Sequence, residues 1–155
     1  MEDFGSKFRR IAEGIADSIR DAAGVQGRGD VSVIVEDKGD IDALVAEALG
    51  SVGLCVIVGV TGFTRRAQSG PVITGTLDFE FRVVEVPSVN RTEQGFVTAQ
   101  QMAEWLARNL HWRTWEGMDG RPLLFGGFQR DDSDEFNVCR VNFTGECSLG
   151  TVKAN

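Results

Sequence analysis

Residues 72–86 read Val-Ile-Thr-Gly-Thr-Leu-Asp-Phe-Glu-Phe-Arg-Val-Val-Glu-Val. Ile73, Leu77, Phe79, Phe81 and Val83 fall on one side of an extended chain. Thr74, Thr76, Asp78, Glu80 and Arg82 fall on the other. Successive side chains of a strand point to opposite faces, so this alternation predicts one face on a core and one in water. Pro87, with no N–H to give to a ladder, ends the strand.

A second ribbon of the same kind runs from Phe136 to Thr151. There Cys139, Val141, Phe143, Cys147 and Leu149 alternate with Arg140, Asn142, Thr144, Glu146 and Ser148. Before it, Leu123 to Arg130 reads as a strand broken at Gly126-Gly127, which predicts a bulge or sharp bend. Asp131 to Glu135 is an acidic turn. These three strands are expected to be antiparallel. Between the ribbons, Ser88 to Gly95 is a connector. Thr98 with Gln101 fits a capping box, and Val97 with Met102 a hydrophobic staple. Met102, Trp105, Leu106 and Leu110 make the apolar stripe of a helix that ends near His111–Trp112.

Upstream, Phe4, Phe8, Ile11, Ala12, Ile15, Ile19 and Ala22 recur at helical steps over residues 4–23, with Gly24 as the stop and a Gly-rich loop to Asp30. Val31 to Glu36 is a β-branched strand, and Asp37-Lys38-Gly39 a turn. Asp40 is placed to cap a short helix carrying Ile41, Leu44, Val45, Ala48 and Leu49 and ending near Gly50. Leu54 to Val60 is almost wholly apolar, which implies a strand covered on both faces. The first two helices are expected to supply one cover and a partner subunit the other. Thr61 to Pro71 reads as a long polar loop carrying Arg65, Arg66 and Gln68.

The order α-β-α-β-β-α-β-β predicts an α+β fold over residues 1–155. Its sheet is mixed but mostly antiparallel, and its helices pack on one face in a two-layer design. A chain of 155 residues, 42% hydrophobic and 25% charged, suits one globular domain with its own core. The longest apolar run, Val52 to Val60, is interrupted by Gly53 and Gly59 and falls short of the ~18 residues of a membrane span. An acidic start followed by an amphipathic helix is neither a secretion signal nor an anchor. A net charge of −7 opposes binding to a phosphate backbone. An odd set of thiols, Cys55, Cys139 and Cys147, without a CxxC pair, reads as reduced buried hydrophobes; a Cys139–Cys147 bridge is the alternative.

Chemistry-bearing patterns are sparse. His111, at a helix end beside Trp112, suits capping or packing, and no Ser or Cys motif offers it a nucleophile. Asp131-Asp132-Ser133-Asp134-Glu135 lacks the glycine and distant glutamate of a calcium loop. Gly24-Val25-Gln26-Gly27-Arg28-Gly29 precedes a strand where a phosphate cradle would follow one. Arg28-Gly29-Asp30 spells an adhesion tripeptide by coincidence. Asp78 and Glu80 share a strand face about 6.5–7 Å apart, as a hydrolase pair would, but without a pocket signature. No catalytic residue, metal ligand or cofactor is expected.

Three features resemble the tail-terminator and tail-completion proteins of long-tailed bacteriophages. One is the opening helix, strand, short helix and strand Leu54–Val60. Another is Val83-Val84-Glu85-Val86-Pro87-Ser88-Val89-Asn90-Arg91 before the third helix. The last is the ending Asn109-Leu110-His111-Trp112, similar to a Leu-His-Gly-Trp ending but without its glycine. The resemblance implies a non-enzymatic ring, often a hexamer, capping the tail tube and joining it to the neck. Assembly would take place in the host cytoplasm, with DNA passing an acidic lumen. Its partners would be copies of itself and tail-tube and neck proteins. Arg65, Arg66, Asp78, Glu80 and Arg82 are the expected interface, with Asn90 and Arg91 as interface or turn-capping residues. Two alternatives remain: an adaptor of a secretion or contractile-injection apparatus, and a small hydrolase using Asp78 and Glu80.

Overall fold

The computed structural model describes residues 5–25, 32–36, 41–66, 70–90 and 98–150. Outside them lie Phe4, the loop 26–30 with Arg28-Gly29-Asp30, the turn 37–39, the Asp40 cap, Gln68, Arg91, Val97 of the staple and Thr151. The helices are α1 (Lys7–Val25), α2 (Ile41–Ser51) and α3 (Ala99–Leu110). The strands are β1 (Ser32–Val35), β2 (Leu54–Arg65), β3 (Ile73–Glu85), β4 (Leu124–Arg130) and β5 (Asn137–Leu149). The predicted order of elements and the α+β class hold. The sheet runs β1-β2-β3-β5-β4, with β1 parallel to β2 and the other pairs antiparallel.

β3 is central, and its alternation is the predicted one from Gly75 onward, whereas Ile73, expected on the core face, is 42% exposed at the strand's start. Leu77, Phe79, Phe81 and Val83 are buried between half-buried Thr76, Asp78, Glu80 and Arg82. Phe79 stands opposite Phe143 and Phe81 opposite Val141, and the Phe81 and Phe143 rings meet edge-on at 5.2 Å. Such a contact adds about 0.5–1.5 kcal/mol to the burial itself. Ile11, Ile15 and Ile19 of α1 and Met102, Leu106 and Leu110 of α3 close over this face. α1 starts from Ser6, whose Oγ accepts the Arg9 N–H at 3.2 Å. It runs past Gly24 to Val25, because one glycine weakens a helix by only ~1 kcal/mol. α3 opens with the predicted Thr98–Gln101 capping box.

Two expectations are corrected. The helices do not share one face: α1 and α3 cover one side, while α2 packs Ala48, Val45 and Leu49 on Cys55 and Ile57 of the other. A parallel pair such as β1–β2 needs a crossover connection over a sheet face, and α1 already occupies the first. The second cover of β2 therefore comes from this chain, where a partner subunit was expected. The first part of the expected polar loop, residues 61–65, is also strand. β2 steps through a bulge between Val60 and Gly62 and stays paired to β3 as far as Arg65–Gly75. Phe63 makes the difference, by stacking on Phe8 of α1 at 5.2 Å.

The alternation of β3 ends on an acid. Glu85 has the parity of Phe81 and Val83 and is 2% exposed. Its carboxylate accepts hydrogen bonds from the Ala99 N–H at 3.2 Å, Asn90 Nδ2 at 2.6 Å and Asn137 Nδ2 at 3.2 Å. The negative charge thus meets the positive end of α3, and both β5 and the connection after β3 are tied to it. Asn90 is 8% exposed; its backbone N–H donates to the Val86 carbonyl and its side chain to Glu85. Beside it Gly53, at φ +84, lets the α2–β2 turn touch this connection; a Cβ there would lie 2.4 Å from the Asn90 nitrogen. Truncating Glu85 removes the acceptor shared by the buried Ala99 N–H, the buried Asn90 Nδ2 and the part-buried Asn137 Nδ2. Glu85→Ala is expected to lower the unfolding free energy by about 2–4 kcal/mol, seen as a lower urea midpoint. Glu80→Ala, on the wet face, should move it by less than about 0.5 kcal/mol. Equal midpoints for the two variants would refute the pin.

Candidate functional site

The polar face of β3 carries three of the predicted site residues in one row. Arg82 reaches Glu36 at 2.9 Å and Glu80 at 3.8 Å, and it lies directly opposite Arg140, which is held by Asp131 at 2.9 Å. Acids on both flanks offset the like charges of the two arginines. Asp78 sits between Gly62 of β2 and Thr144 of β5. Arg66 is engaged within the chain, in an ion pair with Glu146, which Arg121 also approaches at 3.7 Å. Arg65 ends β2, one residue away and exposed. The structure therefore brings Glu80 and Arg82 together, and sets Arg66 on the acid of β5.

Among the described residues, nothing on this face meets His111. Asp78 and Glu80 have the parity opposite to Phe79 and Phe81, so the sheet lies between them and α3. His111 caps the end of α3, and its Nδ1 accepts the Phe125 N–H at 3.0 Å. That is the capping role expected of it, extended to the edge of the sheet. The acidic turn serves the β4–β5 hairpin: Asp132 pairs with Arg130 at 2.6 Å, and Ser133 closes on Phe136. Cys139 and Cys147 are free and buried on one straight strand. Eight residues of strand span about 26 Å, far beyond the ~7 Å Cα limit of a disulfide, so the bridge alternative is corrected.

The surface that departs most from solvated norms is the β4 margin, which sequence reasoning passed over. Leu124, Phe125 and Phe128 are each about 40% exposed, and Trp112 is 70% exposed. Phe125 and Phe128 are three residues apart, a spacing that puts residues on opposite faces of a regular strand. The bulge between Phe125 and Gly127 inserts one residue, so Phe125 stands opposite Phe143 and Phe128 opposite Val141. Both rings therefore share the face of α3 and project beyond its cover. The Gly-Gly pair was a readable sign of the bulge, but not of its consequence. Trp112 has φ +71, a left-handed backbone that costs a non-glycine residue roughly 1–2 kcal/mol. The Trp112 N–H donates to the Leu123 carbonyl, and the Leu123 N–H to Arg113, which lays this turn along the outer side of β4.

No family model matches the chain, and no curated protein does. A solved structure that carries no functional description aligns over 97% of this chain and 100% of its own, at 13% identity and a TM-score of 0.50. At that identity the likeness concerns the fold alone: an α+β chain of this architecture occurs elsewhere.

The thiols provide a pH test of the core. Burial pushes Cys55 up from the ordinary 9.0 to about 11, with the Arg82 charge opposing, and burial raises Cys139 and Cys147 as well. The unfolded chain ionises first, so this stabilisation is complete below pH 9.0 and is lost as pH climbs toward about 11. A rise from 9.0 to about 11 limits the Cys55 share to about 2–3 kcal/mol. The urea midpoint should fall steeply above pH 9, and Cys55→Ala should flatten part of that fall. Parallel pH profiles for the two proteins would show the thiol to be ionisable in place.

Proposed function

We propose that the chain is a structural subunit that assembles into a ring with copies of itself, in the manner of a phage tail terminator or tail-completion protein. One observation carries the reading: large apolar side chains line one edge of the sheet in water, at Trp112, Leu124, Phe125 and Phe128. Surfaces of this kind mark contacts between proteins. A strained Trp112 where glycine would be relaxed adds to it, since strain persists where something else selects the residue. The separation of Asp78 and Glu80 from His111 by the sheet weighs against the hydrolase alternative. Glu36, Glu80, Arg82, Arg140 and Asp131 form a charged face suited to an aqueous lumen or to a neighbour.

Light scattering coupled to size exclusion, over a hundredfold range of concentration and with purified tail-tube protein added, tests the proposal. Discrete ring-sized species are expected, growing with concentration or appearing on the tube. A monomer under every condition would end the reading.

A further inference from the structure

We propose that neighbouring copies join head to tail, with the Trp112 ridge at the β4 edge of one copy seated in the cleft between α2 and β1 of the next. This rests on the assembly reading and adds which two surfaces meet. β4 and β1 are the two outer strands of the sheet, so ridge and cleft lie on opposite edges. Phe125 and Phe128 share the face of α3, whereas the α2 wall of the cleft lies on the other face and its Arg20 and Val33 border on the α1 side. Two copies in the same orientation can then overlap like shingles, the upper face of one margin under the lower face of the next. Had both patches shared one face, a twofold flip would be needed. Contacts between two unlike patches are the kind that close into rings.

The chemistry of the two sides matches. The cleft holds about 430 Å³ and is bordered by Val33, Leu44, Glu47 and Ala48, with Leu44 51% exposed. Residues 41–51 carry Asp42 and Glu47 and no basic residue. Residues 105–115 carry Arg108 and Arg113 around His111 and Trp112 and no acidic residue, in a chain of net charge −7. A ridge that carries Arg113 beside Trp112 thus meets a cleft of mixed lining, in which Val33, Leu44 and Ala48 stand beside the single carboxylate of Glu47. Arg20, also at the cleft, is already matched by Asp17 at 2.7 Å and the Val33 carbonyl at 2.6 Å.

Both edges are partly closed to backbone pairing. Arg20 takes the Val33 carbonyl at β1. His111 takes the Phe125 N–H, and Trp112 and Arg113 pair with Leu123 at β4. The joint is therefore made by side chains, and the sheets do not fuse into one.

The test uses the whole chain. W112G relaxes the left-handed backbone, so it should fold with an unchanged or higher Tm while its apparent assembly constant falls at least tenfold by sedimentation. R113E and E47R should each weaken assembly, and the R113E/E47R double variant should recover most of it. A W112C/L44C variant should oxidise to covalent multimers up to the ring size, while mixed single variants should give only dimers. Rings that survive W112G and R113E unchanged, or assembly without any W112C/L44C cross-link, would overturn the joint and leave the ring reading standing. A wild-type chain that stays monomeric with tail-tube protein present would remove both.

Discussion

The molecule depends on one unbroken register. Every residue from Ile73 to Glu85 is paired with its counterpart from Leu149 to Asn137, with no shift along the β3–β5 ladder. A slip of β3 by one residue would turn Phe79 and Phe81 into water, drive Glu80 and Arg82 into the core, and leave Val141 and Phe143 without their partners. Glu85 forbids the slip from one end. Its carboxylate finds the α3 N-terminus, Asn90 and Asn137 only when β3 and β5 are in this alignment. The irregularities are displaced outward, to the bulge between Val60 and Gly62 on one side and between Phe125 and Gly127 on the other.

That division explains which elements were readable from the chain alone. Strands with one wet face announce themselves by parity, so β3 and β5 were legible almost to the residue, as was the capping box of α3. The end of β2 was not. Gly62-Phe63-Thr64-Arg65 resembles a loop in composition, and a tertiary contact between Phe63 and Phe8 holds it extended. The side chosen by α2 was equally hidden, because it depends on α1 having taken the opposite face. Of the expected interface residues, parity placed Asp78, Glu80 and Arg82 on the wet face, but their partners Glu36 and Arg140 come from other parts of the sheet. The burial of Glu85 was implicit in the same parity, and was overlooked because an acid at the end of a strand looks solvated.

Trp112 shows how local backbone and surface chemistry are coupled here. α3 must hand over to the turn that runs along β4, and that turn requires a left-handed residue immediately after the His111 cap. Glycine would satisfy the backbone and leave the edge bare. Tryptophan leaves residual strain and places an indole in water, two penalties in the isolated chain that an apolar cover would offset together. His111 belongs to the same device: by accepting the Phe125 N–H it fixes where β4 begins its exposed course.

An apolar sheet margin in an acidic chain raises a question of limits. Left open, such an edge recruits any strand, and the result is indefinite stacking. Here the backbone groups of the β1 and β4 margins are partly answered from within, by Arg20 and by the residue 111–113 turn, while their side chains stay available. In the proposed assembly such an edge would discriminate, admitting a surface that meets its side chains in preference to a strand that brings only backbone. Partly answered backbone and exposed rings together would then limit association, which neither would do alone.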